Sequence, residues 1–194
     1  MTAVELDDQE LIERAQKGNT WAFGRLVERY MQRGYFVALG FVGAPEDARD
    51  LSQEAFVRAF RNIRRFEKGR RFFTWYYQIL RNLCFNFLKR RKRRQNYLFS
   101  EMPEEEILDF AAGGDTSPEK NFEQKELQEK LWQAIHGLSV QDREVIILKE
   151  FQDLSYKEMA EVLQCPVGTV MSRLYHARRH LAEKMKELGW EKSN

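Results

Sequence analysis

Residues 155–181, SYKEMAEVLQCPVGTVMSRLYHARRHL, describe two short helices joined by an abrupt break. Ser155 and Glu158 form the S-x-x-E pattern of a capping box, which predicts a helix start. Cys165 and Pro166 end that helix, and Pro166 suits the first turn of the next one because it has a fixed φ and lacks an N–H group. The pattern restricts this part of the chain to folds that hold one short helix at a fixed angle to another.

The second of these helices combines one apolar face with one polar, basic face. Its apolar residues recur at helical spacing, at Val170, Leu174, Ala177 and Leu181. The opposite face carries Thr169, Ser172, Arg173, His176, Arg179 and His180. A metal site of Cys165, His176 and His180 lacks a fourth ligand, so we predict neither a metal nor a cofactor.

Helical periodicity also dominates the rest of the chain, and no segment sustains the alternation that is typical of a strand. Cap or break signals occur at Asp7 with Glu10, Gly18 with Asn19, Gly43 to Pro45, Gly69 and Ser139. Residues 98–123 contain PEEE and AAGGDTSPE without clean periodicity, which is typical of a linker. We therefore predict an all-α protein in which two small helical domains, residues 1–97 and 126–190, are joined by a flexible acidic linker, residues 98–125.

Composition excludes several classes of protein. A hydrophobic content of 43% is too high for a disordered chain, and no run of about 18 apolar residues is available to span a membrane. The acidic N-terminus has no apolar signal core, and the two cysteines form no disulfide framework. We expect a cytoplasmic protein without membrane insertion.

Charge is unevenly distributed along the chain, although the formal net charge is only +2. Residues 61–94 contain 13 Lys and Arg residues against one acid, Glu67, whereas residues 101–123 contain eight acids and one Lys. A basic stretch of this kind usually binds a polyanion, most often a nucleic acid.

The basic stretch includes a long predicted helix, from about Phe73 to Arg94, with two distinct stripes. One stripe is apolar and is expected in the core: Tyr76, Leu80, Leu83 and Phe87. The other stripe holds Trp75, Gln78, Asn82, Asn86 and Lys89. Amides read base edges, cations neutralise phosphates and aromatic rings stack on exposed bases, which favours single-stranded or melting DNA, or RNA. The alternative is that Phe72, Phe73, Trp75 and Tyr77 pack inside, and we expect some of them to do so.

The preceding helix carries an acidic stripe of Asp47, Asp50 and Glu54, with Gln53 beside it. Its predicted buried side consists of Ala55, Phe56, Ala59 and Phe60. Acidic side chains would weaken DNA affinity if they faced DNA, so the stripe favours a basic protein partner. A generic solvated helix face is the alternative.

Several of these blocks together resemble bacterial RNA polymerase sigma factors of the extracytoplasmic-function (ECF) class of the sigma-70 family. They are EDARDLSQEAFVRAF, FFTWYYQILRN, the basic run after it, and LSYKEMAEVLQCPVGTVMSRLYHARRHL. The resemblance covers nearly the whole chain outside the termini and the linker. It implies a factor that binds core RNA polymerase and directs promoter-specific initiation by recognising and melting promoter DNA.

The resemblance also implies three sets of site residues. The set that binds the beta-prime clamp helices is Asp47, Asp50, Leu51, Gln53, Glu54 and Phe56. The set that binds and melts the minus-ten element is Arg70, Arg71, Trp75, Tyr76, Gln78, Asn82, Asn86, Lys89, Arg90 and Arg93. The set that reads the minus-thirty-five element is Ser155, Tyr156, Lys157, Pro166, Gly168, Thr169, Met171, Ser172, Arg173, His176 and Arg179.

Further partners implied by the resemblance are the polymerase beta flap and an anti-sigma factor. The chain departs from the pattern of many relatives at Asn86, where they have Asp, and at Met171 and His176, where they have basic residues. The acidic linker either imitates a phosphate backbone in the polymerase channels or serves as a plain tether.

Two other functions remain open at this stage. A helix-turn-helix regulator that binds duplex operators as a dimer would explain residues 139–186 but not the basic aromatic helix. An RNA-binding module would explain the aromatic residues and the Arg-rich tract at 89–94. An enzyme is not expected, because the sequence contains no nucleophile–base pair, phosphate loop or metal constellation.

Overall fold

A computed structural model describes residues 6–98 and 118–190, which form α-helices, short turns and no strand. The helices of the first domain are α1 (Asp8–Gln16), α2 (Thr20–Val42), α3 (Pro45–Asn62) and α4 (Phe72–Leu98). Those of the second domain are α5 (Pro118–His136), α6 (Val140–Ile146), α7 (Tyr156–Leu163) and α8 (Val167–Glu187). No helix within the described residues is long and apolar enough to cross a membrane.

Four helices start at the polar capping residues that the sequence analysis identified. Asp7 and Ser155 both form capping boxes, with Glu10 and Glu158 respectively. The Asn19 side chain accepts a hydrogen bond from the N–H of Ala22 at the start of α2, and Ser139 caps α6 in the same way. Each such cap satisfies a backbone N–H that the helix itself leaves unpaired, and it contributes about 1 kcal/mol.

The breaks between helices follow the predicted glycine and proline positions. Gly43 ends α2 in the left-handed region (φ 83°), and Pro45 is the first residue of α3. Gly69 has the same φ within the charged loop before α4. Between α7 and α8, Gln164 is left-handed (φ 53°) and Pro166 directly precedes α8, so the predicted joint of the helix-turn-helix is confirmed.

The first domain packs α4 against both α2 and α3. Tyr76 of α4 is fully buried, stacks on Phe56 with ring centroids 4.2 Å apart, and donates a hydrogen bond to the Ser52 carbonyl oxygen at 3.2 Å. Its hydroxyl lies directly against Gly34 of α2, where a Cβ would overlap with it. Gly34 therefore allows α2 and α4 to approach each other closely.

The second domain is built around α8, which contacts α5, α6 and α7. The predicted apolar face is confirmed at Val170, Leu174 and Ala177, which are buried, while Leu181 further along the face is half-buried. A wider π-type turn, Ile147–Phe151, follows α6 and was not predicted. Gln152 comes directly after this turn and is buried.

The two domains also pack against each other, which the sequence did not predict. α7 lies on α4, while α5, α6 and the π-type turn lie on α2. The backbone of Gly40 in α2 approaches the side chain of Ile147 so closely that a Cβ would overlap with it. The buried apolar side chains of both domains consequently form one continuous cluster.

Two helix ends differ from the predicted domain limits. α4 extends to Leu98, and α5 begins at Pro118, inside the range predicted as linker. Pro118 suits the first position of a helix because its missing N–H would be unpaired there anyway. The acidic stretch between them, residues 99–117, lies outside the described residues.

Candidate nucleic-acid and polymerase interfaces

The polar stripe of α4 is the first candidate interface. Most of its predicted DNA-binding residues are exposed: Arg70, Arg71, Asn82, Asn86, Lys89, Arg90 and Arg93. Trp75 and Gln78 are half-buried, and Tyr76 is fully buried. Since Tyr76 presents no surface, we correct its assignment as a DNA contact: its ring supports α4 from behind through Phe56.

The aromatic residues at the start of α4 are divided between the core and the surface. Phe72, Phe73 and Tyr77 are buried, as expected for some of them, and only Trp75 among residues 72–77 combines an aromatic ring with partial exposure. The Trp75 ring is held edge-on by Phe66, with centroids 5.3 Å apart. Packing on one side fixes the indole while its other side remains accessible.

Trp75 borders a surface cavity of about 350 Å³. The other residues that line it are Arg58, Asn62, Arg65, Ile79 and Asn82. This combination offers an aromatic face, two amides and two guanidinium groups, the chemistry that holds a base together with its phosphate. Arg58, Asn62 and Arg65 were missed as site residues, although their i, i+4, i+7 spacing was a signal in the sequence.

The acidic stripe of α3 is the second candidate interface. Asp50 and Gln53 are exposed, Asp47, Leu51 and Glu54 are half-buried, and Phe56 is buried. Glu54 accepts a hydrogen bond from Arg58 Nε at 2.7 Å. Phe56 therefore holds α3 in place from within the core, and the carboxylates face outward.

The apolar side of α3 differs from the prediction at one position. Ala55, Phe56 and Ala59 are buried as predicted, but Phe60 is 40% exposed and the prediction of its burial is wrong. Phe60 lies at the edge of the core, where its ring contacts Phe23 with centroids 5.0 Å apart. Together with exposed Val57, it places apolar surface beside the acidic stripe.

The helix-turn-helix of α7 and α8 is the third candidate interface. The buried face of α8 leaves most of the predicted residues exposed: Ser155, Tyr156, Lys157, Pro166, Gly168, Met171, Ser172, His176 and Arg179. Thr169 and Arg173 are half-buried. The Ser172 hydroxyl donates to the Thr169 carbonyl oxygen at 3.1 Å, so its hydrogen is already engaged within the helix.

An apolar stripe runs along the exposed face of α8 and was not predicted as a unit. Val167, Met171 and Tyr175 recur at i, i+4 and i+8, with Tyr175 67% exposed. Apolar side chains in a major groove contact thymine methyl groups. Helical spacing alone was sufficient to find this stripe.

Two predicted minus-ten residues contact the second domain. The Gln78 side-chain amide donates to the Val162 carbonyl oxygen of α7, and Arg71 forms an ion pair with Glu158. Asn82 and Asn86, further along the same stripe, are exposed. In this conformation the helix-turn-helix covers one end of the polar stripe of α4.

Two family models match this chain. The model for sigma-70 region 2 matches residues 26–94, which contain most of α2 and the interfaces on α3 and α4. The model for sigma-70 region 4 matches residues 128–181, which contain the helix-turn-helix. The two matches lie on either side of the predicted linker.

Characterised relatives align over nearly the whole chain. The RNA polymerase sigma-H factor of Pseudomonas aeruginosa is 36% identical, over 93% of this chain and 95% of the relative. The ECF RNA polymerase sigma-E factor of Escherichia coli K12 is also 36% identical, over 95% of this chain and 97% of the relative.

A solved structure has the same fold. The sigma factor RpoE from Bartonella quintana, determined in complex with the anti-sigma factor NepR, superimposes with a TM-score of 0.68. The match has 25% sequence identity and covers 84% of this chain and 96% of that one. These matches and the two family models agree: the chain belongs to the ECF class of RNA polymerase sigma factors of the sigma-70 family, which direct promoter-specific transcription initiation.

Proposed function

We propose that this sigma factor binds core RNA polymerase through α3, holds an opened minus-ten element on α4, and reads the minus-thirty-five element with α7 and α8. The observation that carries the proposal is the cavity beside Trp75 and Asn82 on a strongly basic helix. The factor itself supplies binding and no catalysis, and it acts with the polymerase in the cytoplasm.

The cavity on α4 favours an unpaired base over a paired one. In a duplex the base faces are stacked on their neighbours, so an accessible indole has nothing to stack on until the strands separate. Base–aromatic stacking is worth roughly 1–3 kcal/mol per base. Arg58 and Arg65 border the cavity as cations for the accompanying phosphates, and Asn82 offers an amide to a base edge.

The surface of α3 fits a basic protein better than DNA. Asp50 is exposed on the stripe, and exposed Val57 and Phe60 add the apolar area that a protein interface buries at its centre. Carboxylates around such a centre steer a basic partner and reject phosphate. The helices of the polymerase beta-prime clamp are the proposed partner.

The start of α8 fits duplex DNA. Gly168 and Thr169 lie in its first turn, where the positive end of the helix dipole favours phosphate. The Thr169 N–H donates to the Pro166 carbonyl oxygen at 2.9 Å, so phosphate contact at this turn is proposed for the Gly168 N–H and the Thr169 hydroxyl. Arg173 and His176 follow on the exposed side, where side chains of a recognition helix reach base edges in the major groove. The polymerase beta flap is the proposed protein contact of this domain.

An anti-sigma factor is the proposed regulatory partner. The support comes from the Bartonella quintana relative, which was solved with such a protein bound. Identity to that relative is 25%, so the class of partner is proposed here and the individual contacts are not.

Transcription with purified core polymerase tests the proposed function. We expect no promoter-specific transcript from either component alone, and a transcript when they are combined. Asp50→Arg should reduce core binding in a titration, whereas Glu28→Arg, an exposed charge reversal on α2, should leave it unchanged. Equal core affinities of the two variants would contradict the assignment of α3.

A further inference from the structure

The apolar stripe on the exposed side of α8, Val167, Met171 and Tyr175, has no role in the contacts proposed so far for phosphates or for polar base edges. Met171 is 51% exposed and Tyr175 is 67% exposed, although both side chains are large. All three lie outside the hydrophobic core and the half-buried side chains that pack against it. Contiguous exposed apolar surface usually marks a binding site.

Small residues form the line of α8 that points furthest from its buried face. At about 100° per residue, Gly168 and Ser172 lie opposite that face. A Cβ at Gly168 would meet no atom within 4 Å, and the Ser172 hydroxyl is bonded back to the Thr169 carbonyl oxygen at 3.1 Å. Since no long side chain projects along this line in the first two turns, the backbone of α8 can approach the floor of a major groove closely. The apolar stripe on the flank of this line is then within reach of the bases.

The same part of α8 contains few cations. Residues 167–176 include a single Lys or Arg, which is Arg173. Arg178, further along on the side of the apolar stripe, donates from Nε and Nη2 to Glu150 Oε1 at 3.0 and 2.7 Å. The start of α8 therefore offers a groove more apolar surface than charge, and its preference among sequences should depend on apolar contact.

The length of the apolar stripe matches a short run of base pairs. Val167 and Tyr175 are eight residues apart, which is about 12 Å along a helix, or roughly three to four base pairs. The Tyr175 ring meets the His176 ring edge-on, with centroids 5.4 Å apart, so a neighbour on the helix helps to orient it. Met171 lies between the two ends of the stripe and adapts to irregular apolar surface because its side chain is flexible.

Thymine is the base that presents a methyl group in the major groove, whereas the other bases offer hydrogen-bonding groups there. A guanidinium group reads guanine or phosphate, and the thioether of Met171 can do neither. We propose that Met171 and Tyr175 make this factor select thymine in the minus-thirty-five element, through contact with its C5 methyl group. This inference rests on the proposed role of α7 and α8, and it names the base that they prefer.

Replacement of thymine by uracil tests the proposal, because it removes the methyl group and keeps every hydrogen-bonding group of the base pair. The full-length factor, combined with purified core polymerase, first selects duplexes from a library randomised over the length of a promoter. Footprinting then identifies the upstream element that the complex protects. Each thymine of that element is replaced by uracil, one at a time, and the affinity of the complex is measured by competition. Thymines outside the protected DNA are the matched controls.

We expect the selected elements to contain thymine within a run of roughly three to four base pairs. Uracil at those positions should weaken binding about fourfold for each methyl group lost, the factor that corresponds to burial of one such group. Uracil at the control positions should have no effect. Selected elements without thymine, or elements in which uracil never weakens binding, would overturn the inference.

Variants of the exposed side chains connect the effect to α8. Met171→Ala should abolish the uracil effect at one position, and Tyr175→Ala should do so at a neighbouring position. Met171→Arg should replace the preference for thymine with one for guanine. Met31→Ala is the matched control, because Met31 is 55% exposed on α2 and should retain the wild-type uracil effect. Uracil effects of equal size in the wild type, Met171→Ala and Tyr175→Ala would overturn these two residues as the readers.

The footprint separates failure of this inference from failure of the proposed function. If the complex protects no upstream element on any selected duplex, the assignment of α7 and α8 to the minus-thirty-five element is wrong, and the preference for thymine is overturned with it. An upstream element that is protected equally well with thymine and with uracil overturns the preference for thymine alone.

Discussion

The two helices proposed to contact promoter DNA, α4 and α8, differ in how they divide core from surface. α8 buries a narrow apolar face of Val170, Leu174 and Ala177, and most of its other side chains are exposed. α4 buries Phe72, Phe73, Tyr76 and Tyr77 around much of its first turns, and it leaves a narrow polar stripe beside the cavity that Trp75 lines. The comparison indicates that α8 is a surface element, whereas α4 is a core element with a site at its edge.

The largest expected effect concerns the buried sides of the two helices. Leu80 of α4 and Leu174 of α8 are both buried, and replacement of such a residue by Ala costs about 2–5 kcal/mol. We expect Leu80→Ala to lie at the upper end of that range in urea unfolding, because the surrounding aromatic residues leave little freedom for the site to collapse. Leu174→Ala should cost less, and Leu127→Ala, at an exposed position on α5, should change stability little. A larger loss for Leu174→Ala would reverse the comparison.

The next effect concerns the cavity of α4. Trp75→Ala should reduce permanganate-detected promoter opening by an amount equivalent to about 1–3 kcal/mol, since it removes the stacking surface. Core binding should be unchanged. Trp21→Ala is the matched control, because Trp21 is 58% exposed on α2 and does not line the cavity. If Trp75→Ala unfolds the protein, or if both variants open promoters equally well, Trp75 is a structural residue only.

The surface of α8 should respond differently. If Arg173 reads a base, Arg173→Ala should cost about 1–3 kcal/mol and relax specificity at one position of the upstream element. If it binds phosphate, affinity should fall on every sequence and the salt dependence should become shallower. Filter binding on promoters mutated one base at a time distinguishes the two outcomes. Arg178→Ala, which removes the pair with Glu150, is the control, and identical behaviour of the two variants would remove α8 from the proposed interface.

The smallest expected effect concerns the reactivity of the two cysteines, Cys84 in α4 and Cys165 in the joint before α8. Cys84 of α4 is fully buried, and burial raises the pKa of its thiol from 9.0 to about 12. Cys165, in the joint before α8, is half-buried. At pH 8 a maleimide should label Cys165 quickly and Cys84 only after unfolding, with Cys165→Ser as the control that isolates Cys84. Fast labelling of Cys84 in the folded protein would contradict the packing of α4.

The raised pKa of Cys84 also sets a direction for stability against pH. The folded state keeps this proton to a higher pH than the unfolded state does, so folding loses stability as pH rises from about 9 towards 12. Cys84→Ala should flatten that part of the profile in urea unfolding. An unchanged slope between the wild type and the variant would show that the thiol loses its proton at the same pH in both states, which would contradict the burial of Cys84.

Sequence predicted α8 better than α4 for a physical reason. The α8 pattern separates apolar from polar residues cleanly, so the burial of Val170, Leu174 and Ala177 follows from spacing alone. Aromatic residues surround the start of α4, and spacing does not decide which of them reaches the surface. Tyr76 illustrates this: helical position assigned it to the core, while family resemblance assigned it to DNA, and it is fully buried.

The sequence does not predict that the two domains pack against each other. From the sequence, Glu144 and Gln152 would be expected to face solvent, whereas in the structure both are buried. Their partners, Arg81 and Arg33, are distant from them along the chain, and only Arg81 belongs to the basic stretch of residues 61–94. Helical periodicity predicts which face of a helix is apolar, but it does not predict which polar face packs against another helix.

The contact between the two domains at Gly40 depends on the absence of a side chain there. Its missing side chain is the space into which Ile147 of the other domain fits, so the two domains meet there without a gap. A single methyl group at this position would act as a wedge and would loosen the contact without touching any residue proposed to bind DNA or polymerase. Substitution at this one position would therefore change how the two domains pack while leaving every residue proposed to read the promoter as it is.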